Sequence, residues 1–232
     1  MKKIFAPYLF FYVIILVCAS YLLAVYPKLE LHLLMNQWHN QTGDTIFPII
    51  SKFAEWPLFV IGALPLFFWK AGWTYLYAMT EATAAILIFI VKRIISLPRP
   101  ITCFADRPEV LQLVPGVHVH AHNSFPSGHS STFFVFFTML ALILAYYYFQ
   151  KVKDGNRVHY RWIVYFILIA LAASGCYSRI YLSQHFMMDI VAGSVIGVTL
   201  SCTYFWICYT HDWIKKPWFN LNLVELYRRK KK

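Results

Sequence analysis

YRWIVYFILIALAASGCYSRIYLSQHFMMDIVAGSVIGVTLSCTYFWICY, residues 160–209, is the stretch whose reading decides the fold. It holds two apolar runs, Tyr160 to Tyr181 and Phe186 to Tyr209, each long enough to cross about 30 Å of hydrocarbon as an α-helix. The first run ends and the second begins on the same side of the bilayer. Ser178, Arg179, His185 and Asp189 all fall at that junction, where a charge is expensive unless it is paired or used.

Working outward, Ile4 to Tyr26, Ala71 to Ile95 and His129 to Phe149 are further runs of spanning length. Trp56 to Trp69 is short for a span, and must tilt little or extend back through Ile46 to Ala54. The expectation is an all-α polytopic bundle of about six transmembrane helices, forming one integral membrane domain over residues 1–232 with its motif-bearing core at 71–210. The composition agrees: 59% of the 232 residues are hydrophobic, 19% aromatic and 13% charged, which is outside the range of ordinary soluble domains. The first run is longer than a signal-peptide core and lacks a clear cleavage site, so it reads as a retained span. Four of the five cysteines, all but Cys103, lie in apolar segments, and no disulfide framework is implied.

After the first span, Leu31, Leu34, Met35 and Trp38 recur at helical spacing, with Glu30, His32, Gln37 and Asn40 on other faces. This predicts an interfacial helix, either a plain amphipathic connector or a contributor to substrate choice. The net charge of +11 raises the possibility of a nucleic-acid partner, but the basic residues flank apolar runs without interleaved aromatics, which excludes it. In a six-span chain Lys2, Lys3, Lys70, Lys151, Lys153, Arg157, Arg161, Lys215, Lys216 and the run Arg228 to Lys232 share one side. That side should be cytoplasmic, with both termini, and the final cations should sit against anionic headgroups. Lys28, Lys52, Arg93 and Arg107 remain on the other side. The loop from about Ser96 to Phe125 is too long for a simple connector, so it should lid the site or select substrate.

Four helix ends then meet at the outer rim, and the polar residues gather there. Lys92, Arg99 and Arg179 supply three cations, two of them planar forks that suit phosphate oxygens. Ser127 and Gly128 open a helix whose free N–H groups favour an anion. His185 and Asp189, four apart, share a helix face, so the carboxylate can hold one ring nitrogen protonated and leave the other to attack. His129 is a second imidazole, able to protonate a departing oxygen. A histidine or arginine taken singly at a membrane edge is more often a satisfied or snorkelling side chain than a catalyst. Together these residues make a dianion site with a nucleophile.

Three stretches, Lys92 to Pro100 (Lys-x6-Arg-Pro), Pro126-Ser127-Gly128-His129 and Ser178-Arg179-x5-His185-x3-Asp189, closely resemble the motifs of the type-2 phosphatidic acid phosphatase superfamily, membrane relatives of the vanadium haloperoxidases. No motif position departs, and the match runs from Lys92 to Asp189. The resemblance implies His185 as nucleophile, Asp189 as its orienter and His129 as acid then base. Lys92, Arg99, Ser127, Gly128 and Arg179 would bind phosphate, and Ser178 would add a supporting hydrogen bond.

The expected activity is a lipid phosphate or diphosphate phosphohydrolase working without metal or other cofactor through a phosphohistidine, at the periplasmic face of a bacterial inner membrane. Undecaprenyl diphosphate, phosphatidylglycerol phosphate, phosphatidic acid and lipid A phosphate all present the group the motifs bind. A lipid phosphotransferase using the same phosphohistidine, or a non-catalytic lipid-binding protein, are the alternatives. The number of subunits is not legible. Two features stand apart. His118, His120 and His122 alternate in the outer loop, as an exposed polar loop or a metal site would. Glu81 sits mid-span three turns before Lys92, and either faces a polar cavity or hydrogen-bonds within the bundle.

Overall fold

The computed structural model describes residues 1–151, 155–222, 224 and 227. Among them the regular structure is helical: α1 (Lys2–Val25), α2 (Lys28–Asn36), α3 (Gln41–Phe53), α4 (Pro57–Trp69), α5 (Ala71–Ile95), α6 (Pro100–Cys103), α7 (Gly128–Tyr147), α8 (Gly155–Tyr181) and α9 (Met187–Thr210), with short 3-10 turns between some of them. Among the described residues four helices, α1, α7, α8 and α9, are long and apolar enough to cross a bilayer. Helices α3 and α4 make a fifth candidate if taken as one span, although they bend by 49° at their junction. The short run at Trp56 to Trp69 is thus extended backward by a separate, inclined helix. Ala71 to Ile95, read in the sequence as a clear span, forms α5, about 37 Å long at 1.5 Å per residue. Glu81, Lys92 and Arg93 interrupt its apolar sequence and it is not among the helices that qualify, so four or five of the six expected spans are found among the described residues.

The hub is α7, which touches α1, α4, α5, α8 and α9. Small residues make its tightest contact possible: Gly193 and Gly197 of α9 lie against the Ser127 and Ser131 carbonyls of α7, and a Cβ at either position would collide with backbone. Lipid tails are as apolar as leucine, so helices in a bilayer associate by such close approach rather than by excluding water. The outward faces instead carry large apolar side chains, among them Val17 and Tyr21 of α1, Ile86 and Ile94 of α5, and Phe166 of α8.

The bundle has two distinct ends. At one, the start of α5 meets the ends of α7 and α9: Trp73 packs on Tyr147, Phe205 and Phe219, and its indole N–H donates to the Tyr147 hydroxyl at 2.9 Å. Lys2 lies over the Trp206 ring, Lys70 donates to Asn220 Oδ1 at 2.6 Å, and Lys215 pairs with Asp212 at 2.7 Å, all at this end. The expected docking of Arg228 to Lys232 on headgroups lies outside the described residues, as does the placement of Lys153.

At the opposite end, α5 runs out, α7 begins, α8 ends and α9 begins. The 96–125 loop is strapped over it by backbone pairs, Arg99 N–H to Ala121 and Ser124 N–H to Leu97, each 2.9 Å. Helix α2 also docks here, and its buried face differs from the apolar stripe read in the sequence. Leu31, His32 and Asn36 are buried, whereas Leu34 and Trp38 are exposed and Trp38 lies beyond the helix end. The polar pair decides the docking, because buried polar groups must find partners. Asn36 bonds the Tyr181 and Gln112 backbone, and His32 meets Ser183.

Candidate active site

The turn between α8 and α9 carries the central pair. Asp189 sits in the first turn of α9, where a carboxylate is favoured by the free N–H groups and the helix dipole. Its Oδ2 accepts from the Phe186 amide at 2.9 Å and from the Ser124 hydroxyl at 2.5 Å. His185 Nδ1 stands 3.5 Å from the same oxygen, within ion-pair reach but outside hydrogen-bond geometry, and has no other hydrogen-bond partner. Both residues are almost wholly buried. Burial first, then the charges of Arg99, Arg179 and Lys92, hold the His185 imidazole well below its ordinary range, partly opposed by a backbone interaction with Ser124. A neutral imidazole retains the lone pair that nucleophilic attack requires.

Helix α7 brings the second imidazole. The Ser127 hydroxyl caps it by accepting from the Ser130 amide at 3.3 Å, and the Ser127 N–H donates to the Asp189 carbonyl at 2.9 Å. That backbone bond joins the second and third motif stretches directly. It also occupies the N–H expected to face an anion, so at this helix start the Gly128 and His129 amides, which lack intrahelical acceptors, remain to do so. His129 Nε2 is buried without a partner, within electrostatic reach of Arg179, His185, Arg99 and Lys92.

The cations surround this centre with unequal freedom. The Arg99 guanidinium is spent largely on the loop and turn, donating through Nε to His122 O at 2.8 Å and through Nη1 to both Gln184 oxygens at 3.0 Å. It thereby fixes the first motif stretch against the third. Arg179 donates through Nη1 to the Ser51 hydroxyl and keeps Nε unpartnered. Lys92 gives one hydrogen bond to Asn123 O, at 2.9 Å, leaving two of its protons for a ligand. Ser178 is turned inward along its own helix, donating to Gly175 O at 2.6 Å.

Several contributors have no motif signal. Ser124 anchors Asp189, Gln184 is held by Arg99 and in turn donates to His118 O at 2.8 Å, and Ser51 reaches Arg179 from α3. Lys28, assigned to the outer side without a role, lies 3.9 Å above the Phe186 ring as a further nearby cation. Only the pairing of distant segments reveals these. In the loop, the His118 and His120 rings are 4.9 Å apart, and no group of three His, Cys, Asp or Glu side chains is placed to share an ion among the described residues.

A family model for the PAP2 superfamily matches residues 71–213. The chain belongs to the PAP2 superfamily. PAP2 relatives include a dihydrosphingosine 1-phosphate phosphatase of Schizosaccharomyces pombe, 25% identical over 176 residues, a stretch that covers 74% of this chain but 39% of that protein. Phosphatidylglycerophosphatase B of Bacillus subtilis is 27% identical over 169 residues, covering 72% of this chain and 74% of the relative. The chain therefore spans well under half of the fission-yeast protein's length. Among solved structures, a Bacillus subtilis transmembrane PAP2-type phosphatidylglycerolphosphate phosphatase superposes with a TM-score of 0.61 at 23% identity, covering 90% of this chain and 98% of the other. Aquifex aeolicus LpxE gives 0.59 at 22% identity, with 78% and 97% covered. These likenesses place the bundle in the membrane PAP2 fold.

Proposed function

We propose that this PAP2 chain is a lipid phosphate or diphosphate phosphohydrolase that works through a phosphohistidine on His185. The observation that carries the reading is the meeting of three distant stretches at one centre: Ser127 N–H on the Asp189 carbonyl, Arg99 on Gln184, and the buried His185 and half-buried His129 imidazoles among four cations. His185 attacks phosphorus in line, forming an N–P bond as the P–O bond to the lipid breaks. His129 gives the leaving oxygen its proton, while Lys92, Arg179, Arg99 and the Gly128 and His129 amides neutralise charge on the equatorial oxygens. Water then attacks the phosphohistidine with His129 as base, the N–P bond breaks, and inorganic phosphate leaves. The cations hold the charge that magnesium would otherwise neutralise. Ser178 supports the end of α8.

The same reading makes the chain a single six-span domain with both termini in the cytoplasm and the site at the extracytoplasmic face of a bacterial inner membrane. The clustering of Lys2, Lys70 and Lys215 at the end remote from the site supports it. The test is phosphate release from a panel of undecaprenyl diphosphate, phosphatidylglycerol phosphate, phosphatidic acid and lipid A phosphate in the presence of EDTA. The parent chain should turn over at least one lipid and be inhibited by vanadate, and His185→Ala should abolish turnover. Equal activity in that variant ends the mechanism.

A further inference from the structure

Beside the phosphate cradle is a cavity of about 280 Å³, just below the usual range for ligand sites, and its lining joins Lys92, Gly128 and His129 to Glu81 and Thr132. Ala54, Ala84 and Ala85 line the same space, and these small side chains leave room between the carboxyl group and Lys92. Glu81 is the only acidic residue in that lining. Its Oε2 accepts from the Thr132 hydroxyl at 3.3 Å, and its Oε1 is buried with no hydrogen-bond partner. The Tyr77 hydroxyl is also near Glu81 and donates to Leu58 O at 3.3 Å. An unmet carboxyl oxygen at this depth costs several kcal/mol unless something supplies a donor.

Distance says what that donor is. Thr132 stands three residues beyond His129, just under one turn or about 4.5 Å deeper along α7. With the ester oxygen beside His129, that depth is reached by a substituent on the second or third carbon of the alcohol being released. We propose that Glu81, with Thr132, is a specificity-determining pair that recognises a hydrogen-bond donor, ammonium or hydroxyl, on the second or third carbon of the lipid alcohol. The proposal rests on the hydrolase reading above. It explains a carboxyl group in the middle of α5 that neither the proposed phosphate chemistry nor the packing of apolar side chains requires.

The test compares three lipids on the whole chain: dihydrosphingosine 1-phosphate, with an ammonium and a hydroxyl; 1-acyl lysophosphatidic acid, with a hydroxyl; and dioleoyl phosphatidic acid, with ester oxygens only. In Glu81→Gln the ratio of kcat/KM for the first lipid over the third should fall by about tenfold or more, the loss expected of a charge-assisted hydrogen bond. A smaller fall for lysophosphatidic acid identifies the ammonium as the donor read; an equal fall identifies the hydroxyl. Thr132→Val, nearly the same shape, should move the ratio in the same direction and serves if the Glu81 variant does not fold. A ratio unchanged in both variants assigns Glu81 to bundle packing and overturns the proposal. Hydrolysis of undecaprenyl diphosphate alone by the parent chain keeps the phosphatase and removes the donor reading, whereas phosphate release from no lipid removes both.

Discussion

Gly193→Ala tests how closely the site depends on the approach of α9 to α7. The added Cβ would sit inside the contact distance of the Ser127 carbonyl oxygen and 3.1 Å from Ser130 Cβ. A backbone carbonyl cannot rotate away as a side-chain tip can, so restoring ordinary contact requires the two helices to part by roughly 1 Å. Ser127 N–H is bonded to the Asp189 carbonyl, and His129 lies two residues further on, so the separation acts on the imidazole pair itself. A displacement of that size at a reacting centre lowers kcat by about a hundredfold. Overpacking should also reduce stability by about 1–3 kcal/mol. The comparison is Gly197→Ala, whose Cβ would meet the Ser131 carbonyl at 2.6 Å, one turn further from the cradle. It should lose comparable stability and less turnover. The assay is phosphate release from saturating lipid in detergent micelles, with thermal melts in the same detergent. Gly193→Ala turning over within about twofold of the parent would refute the reasoning, because the proposed catalytic groups would then tolerate a shift of that scale.

Ser124→Ala removes the hydroxyl that anchors Asp189, a bond to a charged group worth about 1.5–3 kcal/mol, so kcat should fall by roughly ten- to a hundredfold with KM little changed. Ser124→Thr should restore most of it; parent-like kcat in the alanine variant would show that Asp189 is held without Ser124. His32 gives a pH prediction. Burial, opposed by Asp189 and aided by Lys28, lowers its pKa to about 4, whereas the unfolded chain binds that proton near 6.5. Stability from this group is full above pH 6.5 and declines as the pH falls toward 4, by a quantity of the order of 3 kcal/mol. Melts across that range should therefore slope less in His32→Asn, and parallel slopes would place the titration elsewhere.

The sequence alone determined a great deal here, for a physical reason. A bilayer demands long apolar helices, so composition and run length exposed the helical class and the positions of most elements. The same cost of burying charge made Lys92, Arg99, Arg179, His185 and Asp189 conspicuous, and their placement at run ends predicted one shared rim. What the sequence left undecided was every partner supplied by a segment without periodicity. Ser124 and Gln184 carry no pattern that separates them from any loop residue, and Ser51 becomes an arginine partner only when α3 packs against α8. The stripe of Leu31, Leu34, Met35 and Trp38 suits a helix lying on the membrane but carries no signal for its other contact, in which His32 and Asn36 hydrogen-bond to the turn after α8. Tertiary packing also decided how each cation is spent, with Arg99 turned to loop carbonyls and Lys92 left nearly free. Residue type sets what a group is able to bind; the number of its bonds left over for substrate follows from which neighbours the fold brings within 3 Å or so.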